Sequence, residues 1–170
     1  MKNLALALLL SSALAAPAFA ADSPVYVGLQ IGDRIVSGFA GYQIDKMYSV
    51  EAHYSTVQVP NINLPGIATT TSNSQIGVEG VAMFPLTING APNLSVFGKL
   101  GVERSTYTVD VAFANSPQLN NSITTTETKL TLGGGVQNAF TKNLSGRAGL
   151  GLIGANSTTT GIYIAGIYKF

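Results

Sequence analysis

Glu51, His53 and Ser55 stand at alternate positions and together supply the side chains of a nucleophilic hydrolase. A serine hydroxyl attacks only when a neighbouring base takes its proton, and an acidic group orients that base. On an extended strand, residues i and i+2 share a face, so a strand over 48–57 sets all three in one row. His53 is the one histidine of the chain, and there is no cysteine. A lone histidine offers no metal-ligand cluster. Gly149-Leu150-Gly151-Leu152-Ile153-Gly154 matches the G-x-G-x-x-G of dinucleotide sites. It lacks the strand–turn–helix setting and the acidic residue about 20 positions further on, so no cofactor is expected.

The elements that would position these groups are short alternating segments. Eight can be read, over 25–32, 35–44, 48–57, 75–84, 94–107, 127–140, 144–154 and 161–170. In the fourth, Ile76, Val78, Gly80, Ala82 and Phe84 alternate with Gln75, Gly77, Glu79, Val81 and Met83. Connections at 45–47, 85–93 (with the hairpin signal Asn89-Gly90) and 141–143 are short to medium. Those at 60–74 and 109–126 read as long loops rich in Asn, Ser, Thr and Pro, with Asp110 their single charge. The chain is 46% hydrophobic and 10% charged, yet past its first residues no apolar run is long enough for a transmembrane helix. In lipid every backbone N–H and C=O must be bonded within the protein, and the one β solution is a closed sheet. The expected fold is therefore an all-β, eight-stranded antiparallel up-and-down transmembrane barrel. Weak alternation in segments of about 10 residues is its signature.

Met1-Lys2, an apolar run over 4–16 and Ala18-Phe19-Ala20 read as a cleaved signal peptide over 1–20. The barrel domain is then 21–170. Without Lys2, eight basic residues face eight acidic ones, so nucleic acid is not an expected partner. Absence of cysteine excludes a disulfide framework.

The periodicity points Glu51, Glu79, Lys99, Glu103, Lys129 and Arg147 inward. They are expected to form a structural ion-pair network, with Glu79 beside Lys99 and Glu103 beside Lys129. An eight-stranded interior is just wide enough for side chains to fill. Gly133 and Gly135 are expected opposite Gly149 and Gly151, leaving space for Tyr163 and Phe97. The same register turns Glu51, His53 and Ser55 into the lumen, so interior polar packing outweighs a catalytic triad. Tyr42, Tyr48, Phe84, Phe140, Tyr168 and Phe170 all fall beside short turns or the C-terminus, on the face read as lipid-facing. They are expected to form an aromatic girdle at the periplasmic interface, with Tyr54 and Tyr107 towards the opposite one.

Gly41-Tyr42, Ser49-Val50-Glu51 with Tyr54, Gly98 to Val102, Gly133 to Val136, Lys142 to Ser145 and the terminal Phe170 resemble the opacity-type outer-membrane β-barrel family. The resemblance covers essentially the whole mature chain. It implies a barrel in the outer membrane of a Gram-negative bacterium, in contact with the lipid bilayer and lipopolysaccharide. It also implies that Tyr168 and Phe170 on the last strand act as a signal to the barrel-assembly machinery. It implies no single activity. The reading is a non-enzymatic protein, binding an extracellular ligand through its long loops or supporting the membrane. The alternative is a narrow channel or lateral path for small, including hydrophobic, molecules. Behind both stands a lipid A-modifying hydrolase, since the outer-membrane deacylases carry a His-x-Ser pair similar to His53 and Ser55. A soluble β-sandwich or periplasmic barrel is a third class.

Overall fold

In the computed structural model, the described residues are 23–33, 35–57, 59, 63–65, 67–88, 90–91, 93–113, 120–153 and 159–170. The expected signal peptide over 1–20, Asn89, and Gly154 of the glycine motif lie outside them. The strands are β1 (Val25–Gly32), β2 (Ile35–Gln43), β3 (Tyr48–Val57), β4 (Asn63–Leu64), β5 (Ile67–Pro85), β6 (Leu94–Phe113), β7 (Asn121–Ala139), β8 (Leu144–Ile153) and β9 (Thr159–Lys169). All pairings are antiparallel between sequence neighbours, except that β3 pairs directly with β5 and β1 with β9. The β1–β9 ladder runs from Tyr26↔Lys169 to Gly32↔Tyr163 and closes the ring. The two-residue β4 pairs only with the start of β5, so eight strands form the wall.

Side chains alternate across that wall. Leu29, Ile31, Ile76, Val78, Leu100, Val102, Leu130 and Ile164 are exposed on the outside. Glu51, Glu79, Glu103 and Arg147 are buried inside with Tyr26, Phe39, Phe97 and Tyr163. Among the described residues of the wall strands, the outward charges are Asp110, towards the far end of β6, and, at the edge of the apolar band, Arg104. It pairs with Ile76 and Thr128, where the apolar band gives way to Ser and Thr.

The structure corrects two expectations. The segments read as long loops are largely strand. Residues 67–74, 109–113 and 121–126 extend β5, β6 and β7 to 19, 20 and 19 residues, whereas the other wall strands have 8 to 11. Their Thr and Ser content suggested loops. But Thr is β-branched and suits a pleated surface, and Val109, Val111 and Phe113 keep the alternation going. Second, Glu79 lies opposite Gly101, and Lys99 opposite Val81, a register two residues from the one expected. The turn is centred on Gly90, whose φ of 92° only glycine adopts at no steric cost.

Bulky inward side chains face glycine on the next strand. Tyr26 and Glu51 both oppose Gly41, Phe39 opposes Gly28, and His53 opposes Gly77. Glu79 opposes Gly101, Lys99 Gly133, Phe97 Gly135 and Tyr163 Gly149. Gly133 and Gly135 pair with Gly151 and Gly149, and Tyr163 and Phe97 fill the space above Gly149. A narrow tube has room for a large group only where its neighbour has none. Gly135→Ala would drive a Cβ into the Ala148 carbonyl oxygen, backbone that cannot swing aside, whereas at outward Gly98 nothing lies within 4 Å. In micelle unfolding titrations, Gly135→Ala is expected to cost about 1–3 kcal/mol and Gly98→Ala to leave the midpoint unchanged. Equal midpoints for the two variants would contradict the packing described.

Candidate functional site

The lumen is the polar centre of the molecule, and it has two tiers. The tier nearer the termini is built on Glu51 and Arg147, whose Oε1 and Nη1 are 2.9 Å apart. The Tyr26 hydroxyl donates to Glu51 at 2.8 Å and lies 2.9 Å from Ser49 Oγ, while Arg147 Nε donates to Gln137 at 3.0 Å. The guanidinium is 5.7 Å from the Phe39 ring centre and 4.7 Å from that of Phe97. A buried cation is costly unless paired and hydrogen-bonded, and aromatic faces add attraction of order 1–2 kcal/mol when water is excluded.

The second tier lies further from the termini. Lys99 Nζ is 2.9 Å from Glu79 Oε2, reached diagonally, and Thr131 donates to Glu79 Oε1 at 3.1 Å. His53 sits between two carboxylates, with Nδ1 3.9 Å from Glu79 and Nε2 3.3 Å from Glu103. The side chains with hydrolase chemistry are therefore each engaged elsewhere. Glu51 holds Arg147, His53 turns to Glu103, and Ser55 donates to Ser37 at 2.9 Å. Sharing a strand face brings three residues into a row, but groups across the narrow lumen compete for each of them. Among the described residues no group of three His, Asp or Glu could hold a metal ion.

Lys129 departs from the expected arrangement. It is the register partner of Glu103, yet its ammonium lies 2.9 Å from Glu127 with the side chain about 31% exposed. It stands beyond the last β8 partner of β7, Thr131, where a long side chain can carry its charge to water.

Tyr42, Tyr48, Phe84, Phe140 and Tyr168 are exposed on the outer wall at the end that carries both termini, and Tyr54 is exposed on it further along; Tyr107, also exposed, has the lumen parity of Glu103 and not the outward parity expected for it. Phe170 packs edge-on to Tyr168, with ring centres 5.4 Å apart. Phe140 covers outward Gly146. Two lumen residues escaped the sequence reading: Tyr26 and Phe39. The signal for Tyr26 and Phe39 was their position, an aromatic on the parity opposite to Val25, Val27 and Val36, Gly38.

A family model described as "Outer membrane protein beta-barrel domain" matches residues 6–168. The chain belongs to this family. It is an outer-membrane protein, and its strands span that membrane. No curated protein matches it. Solved structures share the fold at low identity. The N-terminal β-barrel domain of Pseudomonas aeruginosa OprF is 13% identical with a TM-score of 0.62, covering 86% of this chain and 96% of that one. Neisserial surface protein A is 18% identical with a TM-score of 0.57, covering 87% and 98%. Ail, the attachment invasion locus protein of Yersinia pestis, is 16% identical with a TM-score of 0.55, covering 86% and 96%, in a complex with the heparin analogue sucrose octasulfate.

Removing one partner of a buried pair strands the other charge. Arg147→Ala is expected to lower barrel stability by roughly 3–5 kcal/mol, and Lys99→Ala to lower the unfolding midpoint in the same direction. Lys129→Ala at the wetter rim should shift it by under about 1 kcal/mol. Denaturant titration in micelles reads all three, and similar midpoints for Arg147→Ala and Lys129→Ala would refute the burial ranking.

Proposed function

We propose that this protein is a non-enzymatic surface component of the outer membrane that makes contacts outside the cell through the sheet projecting from its far end. The observation that carries this is strand length. A tilted strand of about 9–11 residues spans the bilayer, and β5, β6 and β7 have roughly twice that. The surplus of about ten residues would project by tens of ångströms at ~3.3 Å per residue.

Beyond the last β3 and β8 partners, residues 67–72, 104–113 and 121–130 form that projection. One face is Thr70, Ser72, Thr106, Thr108, Asp110, Ser122 and Thr124; the other carries Ile67, Tyr107, Val109, Val111, Phe113 and Ile123. Among the described residues, 121–130 of β7 have no partner strand on the side away from β6. An exposed strand edge offers unpaired N–H and C=O groups to an incoming chain. The faces carry no basic cluster, which favours hydrogen-bonded and apolar contact over polyanion binding of the kind seen in the Ail complex. The termini and the aromatic girdle share the opposite end, which supports periplasmic termini and an outward-facing sheet. Tyr168 and Phe170 on β9 remain the proposed contact with the assembly machinery.

The channel reading is weaker because Arg147, Phe39, Phe97, Val81 and Tyr163 occupy the middle of the lumen. The hydrolase reading is weaker because His53 and Ser55 are not bonded to each other.

The test replaces residues 107–125 with an Asn-Gly turn between the register partners Thr106 and Thr126. The shortened barrel should keep heat-modifiable gel mobility. Bacteria expressing it should lose most of the adhesion to host cells and matrix proteins that the full chain confers. Equal adhesion by the two chains, or none by the full chain, overturns the proposal. In planar bilayers the full chain is expected to be silent, and steady single-channel steps would favour the channel.

A further inference from the structure

We propose that the far-end vestibule of the lumen binds a small nitrogen cation, a primary ammonium or a guanidinium group, with Glu103 as its anchoring carboxylate. The site is independent of the projecting sheet and of whatever that sheet touches.

A cavity of about 100 Å³ runs through the second tier and reaches Glu51 of the first, lined by Glu103, Glu79, His53, Lys99 and Tyr163, with Asp33 towards the far rim. Two buried polar atoms on its wall have no hydrogen-bond partner among the described residues: Glu103 Oε1 and Tyr163 Oη. Both side chains are only about 4% exposed. Buried polar atoms are normally satisfied, and each exception calls for a cause.

The charge distribution points to the same place. Glu51 has Arg147 and Glu79 has Lys99. Among the described residues Glu103 has neither a lysine nor an arginine, since its register partner Lys129 turns to Glu127. Its one ion-pair partner among them is His53, at 3.3 Å and on the other carboxylate oxygen. The Tyr163 ring lies under Lys99 Nζ at 5.0 Å to its centre, and its hydroxyl lies over Gly149 beside Phe97.

A guest that completes this wall brings an N–H donor for Glu103 Oε1 and one positive charge for its carboxylate. A neutral donor supplies the hydrogen bond without the charge. A metal ion needs several converging ligands, which the described residues do not provide. The cavity has the room of a few waters, at ~30 Å³ each in the liquid, which suits a one-carbon cation and not a bulky one.

The experiment uses isotope-labelled barrel refolded in micelles and titrated at constant ionic strength with guanidinium chloride, methylammonium chloride, urea or sodium chloride, all at millimolar levels. We expect guanidinium or methylammonium to give saturable amide shifts around Glu103, Gln75 and Tyr163, and urea and sodium to give none. Glu103→Gln should weaken binding at least tenfold, and Glu127→Gln at the rim should leave it unchanged. Should Glu103→Gln fail the gel-mobility test for folding, Glu103→Asp serves instead and should weaken binding several-fold. Absence of saturable shifts with both cations, equal shifts with urea, or unchanged affinity in the folded lumen variant would overturn the proposal.

Discussion

Closure of the strand ladder governs the rest of this molecule. In hydrocarbon a free sheet edge has no water to satisfy it, and each unsatisfied backbone group costs several kcal/mol. The β1–β9 ladder removes that edge within the bilayer. Closing with eight strands fixes a narrow tube, and the narrow tube dictates the sequence inside it. Large groups must share the cross-section with glycine, and charges must find partners because little solvent reaches them. The row of glycines opposite Tyr26, Phe39, His53, Glu79, Phe97, Lys99 and Tyr163 is the first consequence. The two-tier ion-pair lattice is the second.

The same constraint divides the labour along the barrel axis. Where the wall is complete, the interior is spent on filling and neutralising itself, which leaves little space for catalysis or conduction. Among the described residues, β5, β6 and β7 continue past the ends of β3 and β8 without a closed ring, and an open edge is tolerable there because water replaces the missing partner. The proposed contacts with a partner therefore fall beyond the wall, in the projecting sheet. The vestibule beneath it is where the interior charge pattern is incomplete.

Much of this was legible in the sequence because the side-chain period of a strand is two. That period alone placed Glu51, Glu79, Glu103 and Arg147 inside and set Gly133 and Gly135 against Gly149 and Gly151. It also gave β1 and β3 to the residue. The family resemblance added the membrane address. What was not legible turns on distance across the tube. The period says that Glu51 and Arg147 point inward but not that they meet, since β3 and β8 are not neighbours and only the curvature of the wall brings them together. The row of Glu51, His53 and Ser55 misled for the same reason. Strand extent was missed where composition and pattern disagree: Thr69-Thr70-Thr71 and Thr124-Thr125-Thr126 look like loop but fit a ladder. Lys129 has the parity of a lumen residue, yet parity carries no depth, and one turn of wall further out its charge belongs to water.

The most direct measurement is of amide proximity across the seam, by NMR on the barrel in lipid nanodiscs. The account predicts backbone contacts along β1 and β9, from Tyr26 with Lys169 to Gly32 with Tyr163, and slow hydrogen exchange for both strands. Fast exchange of β1 with no contact to β9 would contradict it, for the sheet would then carry an open edge in lipid.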